Sequence, residues 1–283
     1  MLKIDSQIQK SIISRSHKLN ARIINRQDLT NDLTVLKVLP LKGAIPEFTA
    51  GQFINLGIVT GEKSTQVDIV SSFTSEVTRI IRRAYSICSA PLQEEYIEFL
   101  IDLVPHGSVT PVLWQLDSGD KLWMEPRARG RFTLENIPRT HNLIMICTGT
   151  GVAPFVSMLR RYKNSNNWKR FVLIQGAKIV ENLAYFSELE AIAKEETTVA
   201  YYPLLSREPS GSSCQGRRGR VQELFRNGNL GENLELPLDP DKTDVFICGN
   251  SEMIESIKAI LQPYGFRSGT RAKPGNIHTE KYW

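Results

Sequence analysis

The feature that most narrows the fold is a change of rhythm after Pro138. Beyond it, "NLIMICTG", "RFVLIQGA", "TVAYYPLLS" and "DVFICG" have the length and apolar density of buried strands. Interleaved with them are "GVAPFVSMLRRY", "AYFSELEAIAK", a short helical stretch at 221–225 and "SEMIESIKAILQPY". Strand and helix in alternation imply a parallel sheet wrapped by helices. Ahead of Pro138 the pattern is β: "ARIINR", "LTVLKVLP", "GQFINLGIV", "RAYSIC", "YIEFLIDLV" and "DKLWMEP", with one helix near 109–116. Short strands punctuated by Gly, Pro and Asp point to an antiparallel barrel or sandwich. The expectation is an antiparallel β-barrel over 20–138, then an α/β domain with a parallel five-stranded sheet over 139–283.

Each half is long enough to bury its own core. No apolar run approaches the roughly 18 residues of a membrane helix, so no membrane is expected. Lys and Arg (35) exceed Asp and Glu (30), a formal charge of +5. That surplus favours anionic ligands and an acidic partner. Nucleic acid is not expected, for no zinc spacing, basic helix or aromatic RNA-binding signature is present. Cys88, Cys147, Cys214 and Cys248 stand far apart, without metal or iron–sulfur spacing. They read as reduced thiols in a cytoplasmic protein with no metal. Residues 1–19 form a basic extension with a single acid, Asp5; an organelle transit segment is the alternative reading.

Five stretches can carry chemistry. In "CTGTGVAP", Gly149 and Gly151 let the backbone turn tightly between strand and helix. The N–H groups at the helix start then suit a pyrophosphate, although such turns also serve packing alone. "RRAYSICSAP" offers an Arg for phosphate, a Tyr for a flat ring and a Ser for a ring nitrogen. Alternation sends Arg83 and Tyr85 to one face and Ser86 to the other; taken alone, the stretch reads first as a plain strand with one exposed charge. In "VPHGSVTP", Gly107, Ser108 and Thr110 form either a second anion cradle or an ordinary helix cap. "LLSREPSGSSCQGRRGR" leaves the third strand of the second domain, where ligands of such sheets sit. An acid there would suit the ribose of NAD; Ser206, Arg207 and the following Arg217, Arg218 and Arg220 suit the 2′-phosphate of NADP. Cys248, in "FICGNSEMIESI", ends a strand, and by itself reads as a small core thiol.

Taken in order, "FTAGQF", "RAYS", "VPHGSVTP", "GTGVAP", "SRE", "GR", "ICGN" with Met253, and the final "EKYW" resemble the ferredoxin–NADP⁺ reductase family, in its bacterial ferredoxin/flavodoxin branch. The resemblance runs from about residue 21 to 283. It implies FAD in the barrel and NADP(H) in the α/β domain. Arg83, Tyr85 and Ser86 would then meet flavin phosphate, ring face and N5, with Ala84, Val104 and Val109 lining the same site. Gly107, Ser108 and Thr110 would hold the FAD pyrophosphate. Thr148, Gly149, Thr150, Gly151 and Pro154 would face the NADP pyrophosphate, with Lys178, Gly249 and Met253 nearby. Ser206, Arg207 and Arg220 would hold the 2′-phosphate. Ser86, Cys248, Glu280 and Tyr282 would stand where nicotinamide and flavin react. The terminal rings would lie on FAD, Tyr282 over the isoalloxazine and Trp283 by the adenine.

Three departures from that pattern are visible. Lys178 stands where the branch often has Arg, giving up a bidentate fork. The segment 60–81 is longer than the usual connection and reads as an extra hairpin. The basic extension has no counterpart. The implied activity is hydride transfer from NADPH to flavin, followed by single-electron transfer from a monomer to an acidic ferredoxin or flavodoxin. The alternatives are the reductase of a monooxygenase or other electron-transfer complex, and a non-catalytic cofactor-binding subunit.

Overall fold

In the computed structural model the described residues are 18–62, 77–92, 95–165, 167–209, 217–226, 234, 236, 238–269 and 275–282. The extension up to residue 17, the middle of the 60–81 segment, Cys214 and Trp283 lie outside them. The chain divides into two compact units.

The first unit contains β1 (Ala21–Asp28), β2 (Leu33–Pro40), β3 (Phe53–Glu62), β4 (Val77–Ser86), β5 (Ile97–Asp102), the short helix α1 (Thr110–Leu113) and β6 (Lys121–Met124). Its strands run in the order β4-β3-β6-β1-β2-β5, each pair antiparallel. An isolated bridge between Ile87 and Phe99 brings the two outer strands together, so the sheet curls into a barrel. Its interior holds Ile23, Leu36, Ile54, Leu56 and Phe99 among others. Each such side chain contributes about 1.5–3 kcal/mol when withdrawn from water. Strand β1 alternates inward and outward through Ile24, which is 42% exposed, and the alternation breaks at Asn25, exposed where a buried residue is due. The ladder to β2 shifts register at that point, between Ile23 and Asn25, as one extra residue in a bulge requires. Strand β4 starts earlier than its apolar letters suggest. The β3–β4 ladder runs from Phe53–Ser86 out to Glu62–Val77, so both ends of the 60–81 segment lengthen these strands.

The second unit opens at Gly130 and also takes Thr49–Gln52 and a short stretch beginning at Cys88. The sequence changes rhythm only after Pro138, because residues 130–138 form neither strand nor helix. They belong here by packing: Phe132 lies against Phe155 and Phe246, with ring centroids 5.7 and 5.2 Å away.

The elements that follow are β7 (Asn142–Thr148), a 3₁₀ turn (Gly149–Val152), α2 (Ala153–Tyr162), β8 (Arg170–Ala177), a 3₁₀ turn (Val180–Asn182), α3 (Phe186–Glu195) and β9 (Val199–Leu205). Then come β10 (Arg217–Arg218), α4 (Glu223–Arg226), β11 (Thr243–Gly249), α5 (Ser251–Leu261) and β12 (Ile277–Lys281). The sheet order is β10-β9-β8-β7-β11-β12, parallel throughout. Five strands are of full length, as expected, and the two-residue β10 is a sixth at the edge. Strand β11 is buried along its whole length and β7 along all but its last residue, which is why they read as unbroken apolar runs. Strand order reverses between them, and ligands of such sheets bind at the carboxyl ends beside that reversal.

Candidate functional site

In the first unit the expected residues gather at the end of β4 and the loop after β5. Arg83 is exposed at the end of that strand. Its Nη1 donates to the Arg82 carbonyl and its Nη2 to the Ser108 hydroxyl, both at 2.9 Å. Neither Ser108 nor Thr110 caps α1, whose start has no side-chain cap bond; the ordinary-cap alternative does not hold. Thr110 instead closes the loop on itself. The Val104 N–H donates to Thr110 Oγ1 at 3.0 Å, and the Thr110 hydroxyl donates to the Val104 carbonyl at 3.2 Å. Gly107 N–H reaches that same carbonyl at 2.9 Å. Val109 is in the barrel core, which leaves only its peptide group for a ligand.

Tyr85 is half-buried against the barrel, next to Ser86, which is buried. The Tyr85 hydroxyl is buried and has no hydrogen-bond partner among the described residues. Burial pushes its phenol well above the usual range, with the Arg83 charge pulling weakly the other way. A buried hydroxyl normally finds a partner. An exposed guanidinium and hydroxyl, an unpaired phenol and a ring edge suit the phosphates and polar ring of a flavin dinucleotide.

In the second unit two turns meet at the carboxyl ends of β7 and β11. A Cβ on Gly151 would lie 2.3 Å from the Cys248 carbonyl oxygen, so only glycine allows the turns to touch. Gly249 has φ +147°, and a Cβ there would lie 2.5 Å from Thr148 Oγ1. Asn250 ties both turns together. Its Oδ1 accepts from Met253 N–H at 2.8 Å, capping α5, and its Nδ2 donates to Thr148 Oγ1 at 3.4 Å. The start of the Gly149 turn leads through Pro154 into α2, the arrangement whose N–H groups receive an anion.

Parallel pairing sets Cys248 between Cys147 and Glu280. The Cys248 Sγ lies 3.8 Å from Glu280 Oε2. Burial, reinforced by the Glu280 charge and opposed by the neighbouring Tyr282 side chain, holds this thiol well above the usual range. It is therefore a neutral donor and not a thiolate nucleophile. Tyr282 N–H donates to the Gly249 carbonyl at 3.3 Å, and its hydroxyl to the Thr150 carbonyl at 3.4 Å. The Tyr282 ring is thus anchored on the protein's own turns.

The basic residues collect at the neighbouring strand ends. Ser206 donates to the Ala177 carbonyl through N–H (3.0 Å) and hydroxyl (3.2 Å). Arg207 N–H donates to the Lys178 carbonyl at 2.8 Å. Parallel β10 sets Arg217 beside Leu204 and Arg218 beside Leu205, and Arg217 lies over the Tyr202 ring at 5.5 Å. Lys178, Ser206, Arg207 and Arg220 are all exposed. This donor set suits a phosphate on an adenosine ribose.

The sequence alone assigns no part to Asn250, Glu208 and Tyr202, and counts Arg218 only among the cations suited to a 2′-phosphate. An Asn just ahead of a helical run is a legible cap signal; the other three depend on which loops the sheet brings together.

The description "Oxidoreductase NAD-binding domain" fits residues 145–259, from within β7 to within α5. A flavodoxin/ferredoxin–NADP reductase of Buchnera aphidicola (subspecies Baizongia pistaciae) is 30% identical over 267 residues, 94% of this chain and 98% of that protein. A ferredoxin–NADP reductase of Pseudomonas aeruginosa is 30% identical over 244 residues, 83% of this chain and 86% of its own. Among solved structures, a ferredoxin NADP⁺ reductase from Neisseria gonorrhoeae with bound FAD and NADP superposes with a TM-score of 0.77. That match spans 95% of this chain and all of the other at 25% identity. With 30% identity maintained along almost the full length of both chains, this protein belongs to the flavodoxin/ferredoxin–NADP reductase family.

Proposed function

We propose that the protein oxidises NADPH and passes the electrons through FAD to a ferredoxin or flavodoxin. The observation that carries this reading is the cluster of Cys248, Glu280 and Tyr282 against the Thr148–Gly151 turn. Its neutral thiol, carboxylate and flat ring stand together at the carboxyl ends of the strands, which supports the binding of a nicotinamide dinucleotide beside them. Bound FAD supplies the redox chemistry, taking a hydride equivalent and releasing electrons one at a time.

The chain's own residues bind, orient and hold protons. Arg83 and Ser108 receive the flavin phosphates; the Tyr85 hydroxyl gains there the partner it lacks among the described residues. Ser86, buried at the end of β4, serves the N5 edge. The turn from Thr148 to Pro154 receives the NADP pyrophosphate. Ser206, Arg207 and Arg220, with Lys178 beside them, select the 2′-phosphate. Cys248 offers a neutral S–H and a small contact surface beside the nicotinamide, and Glu280 exchanges protons with solvent. The surplus of cations favours an acidic acceptor, met by a monomer in the cytoplasm.

The test is a visible spectrum of the purified protein under anaerobic conditions. Flavin absorption should be present, bleach on adding NADPH and return on adding oxidised ferredoxin or flavodoxin. A protein that takes up no flavin when offered FAD, or whose flavin NADPH leaves oxidised, does not have this function.

A further inference from the structure

The loops leaving β8 and β9 are fastened to each other by two side chains that have no part in the reading above. The Glu208 carboxylate accepts the Val180 N–H at 2.9 Å, reaching from the β9 exit to the first residue of the 3₁₀ turn after β8. From the opposite side, Arg218 donates to the carbonyls of Glu208 at 2.5 Å and Pro209 at 2.7 Å. A guanidinium is a planar fork, and two neighbouring carbonyls match it. Between these two ties lie the bonds already described, from Ser206 to Ala177 and from Arg207 to Lys178. The three loops are therefore laced together, with Lys178, Ser206 and Arg207 exposed on them.

We propose that Glu208 and Arg218 are positioning residues, bracing the β8 and β9 exit loops so that the donors for the 2′-phosphate are held in place before the dinucleotide arrives. The proposal rests on reading Ser206 and Arg207 as 2′-phosphate donors. Its physical basis is preorganisation: a long cationic side chain on a loose loop loses much of its binding energy to ordering itself. Arg218 spends its donors on main-chain carbonyls and acts through the loop. Glu208 is an acid directly after the phosphate donor Arg207, which would weaken anion binding unless its geometry contributed more than its charge costs.

The experiment is calorimetric titration of the FAD-loaded protein with adenosine 2′,5′-bisphosphate and, as control, AMP, together with hydrogen exchange of the ligand-free protein. Wild type should prefer the bisphosphate by about tenfold or more. Equal affinities would overturn the 2′-phosphate reading itself, and the brace with it. Given that preference, Arg218→Ala should weaken the bisphosphate about five- to tenfold and leave AMP within about twofold. The same variant should speed exchange of the Arg207 and Val180 amides. A loss of affinity with unchanged exchange makes Arg218 a direct phosphate ligand and ends the bracing proposal; unchanged affinity ends it too. The two Glu208 variants separate geometry from charge. Glu208→Gln keeps an acceptor for Val180 and sheds the charge, so it should bind at least as tightly as wild type, whereas Glu208→Ala should bind weakly and exchange faster. If both tighten the bisphosphate equally, Glu208 acts only as a repelling charge and the brace is refuted.

Discussion

The Tyr282 hydroxyl donates to the Thr150 carbonyl at 3.4 Å, so the ring next to the end of the chain spans the turn expected to receive the dinucleotide. Strand β12 carries it there, through five paired positions along β11. A ring held in this place competes with a nicotinamide for the surface beside Cys248. Tyr282→Ser should therefore tighten NADP⁺ about tenfold, the stacking of one ring being worth about 1–3 kcal/mol, and slow turnover through product release. Tyr282→Phe keeps the ring and should stay close to wild type. Titration of NADP⁺ into both variants decides it; an unchanged dissociation constant in the Ser variant means that the ring covers nothing.

Cofactor choice is expected to reside at Lys178 and Arg207, main-chain neighbours across the 2.8 Å bond from Arg207 N–H to the Lys178 carbonyl. Arg207→Ala should weaken NADPH by about one decade, rising to two if both arms of the fork are used, since a hydrogen bond to a charged group contributes about 1.5–3 kcal/mol. NADH, without the phosphate, should be unaffected. Lys178→Arg should act in the opposite sense, improving NADPH a few-fold (roughly) by exchanging a point charge for a fork. Steady-state KM values for the two cofactors test both. Parallel losses for NADPH and NADH in Arg207→Ala would move this side chain out of the 2′-phosphate site.

Both architectures can be read from the letters because each is written in a short period. Strand β7 is a run of buried residues between Asn142 and its glycine turn; β2 and β5 are nearly as continuous. The Gly149–Gly151 and Gly249 turns are legible because only glycine tolerates their geometry, though the letters do not reveal that the two turns touch. What was illegible is set by tertiary approach. The two residues of β10 have no period at all. Ser108 was expected to hold phosphate or cap a helix, and accepts from Arg83, 25 positions away. Arg218 was expected among the cations for the 2′-phosphate, and instead donates to the Glu208 and Pro209 carbonyls that the fold brings within its reach. Such partners lie on other elements, and no local pattern encodes them.

Acid should loosen the barrel through Glu125. The carboxylate is buried at the end of β6, bonded by Asn55 Nδ2 at 2.5 Å and Arg129 Nε at 2.7 Å. Burial pushes its titration up, but the bonds from Asn55 and Arg129 together with the Arg129 charge outweigh it and leave the group below the usual range. A carboxyl depressed on folding stabilises the fold above its unfolded pKa, about 4.3 for Glu. That contribution disappears as pH falls from there through the folded value. Glu125→Gln should thus be less stable than wild type at neutral pH, with the gap closing below about pH 4. Urea midpoints measured at both ends of that range test it; a gap independent of pH would show that Glu125 titrates alike in both states.

Stability of the second unit should depend on Asp244, at the edge of the sheet opposite the cofactor residues. Its carboxylate receives His141 Nδ1 and His278 Nε2, each at 2.7 Å, while the side chain itself is buried. Asp244 pairs with Leu143 of β7, and the His278 ring stacks on Phe246 at 4.4 Å. One acid thereby links the amino ends of β7, β11 and β12. Asp244→Asn replaces one acceptor oxygen with a donor that confronts an imidazole N–H, and removes the charge from two charge-assisted bonds. A hydrogen bond to a charged group contributes about 1.5–3 kcal/mol, so weakening both costs about 2–4 kcal/mol, which in a protein of this size lowers the melting temperature by roughly 4–16 °C. His278→Ala should cost less, because that side chain is 29% exposed and gives up only one of the two bonds. The KM for NADPH should stay unchanged in both variants, since ligands occupy the carboxyl ends of the strands. A melting temperature for Asp244→Asn within about 2 °C of wild type, less than the shift expected from 1 kcal/mol, would show that the two imidazoles find other acceptors and that the acid carries no structural weight.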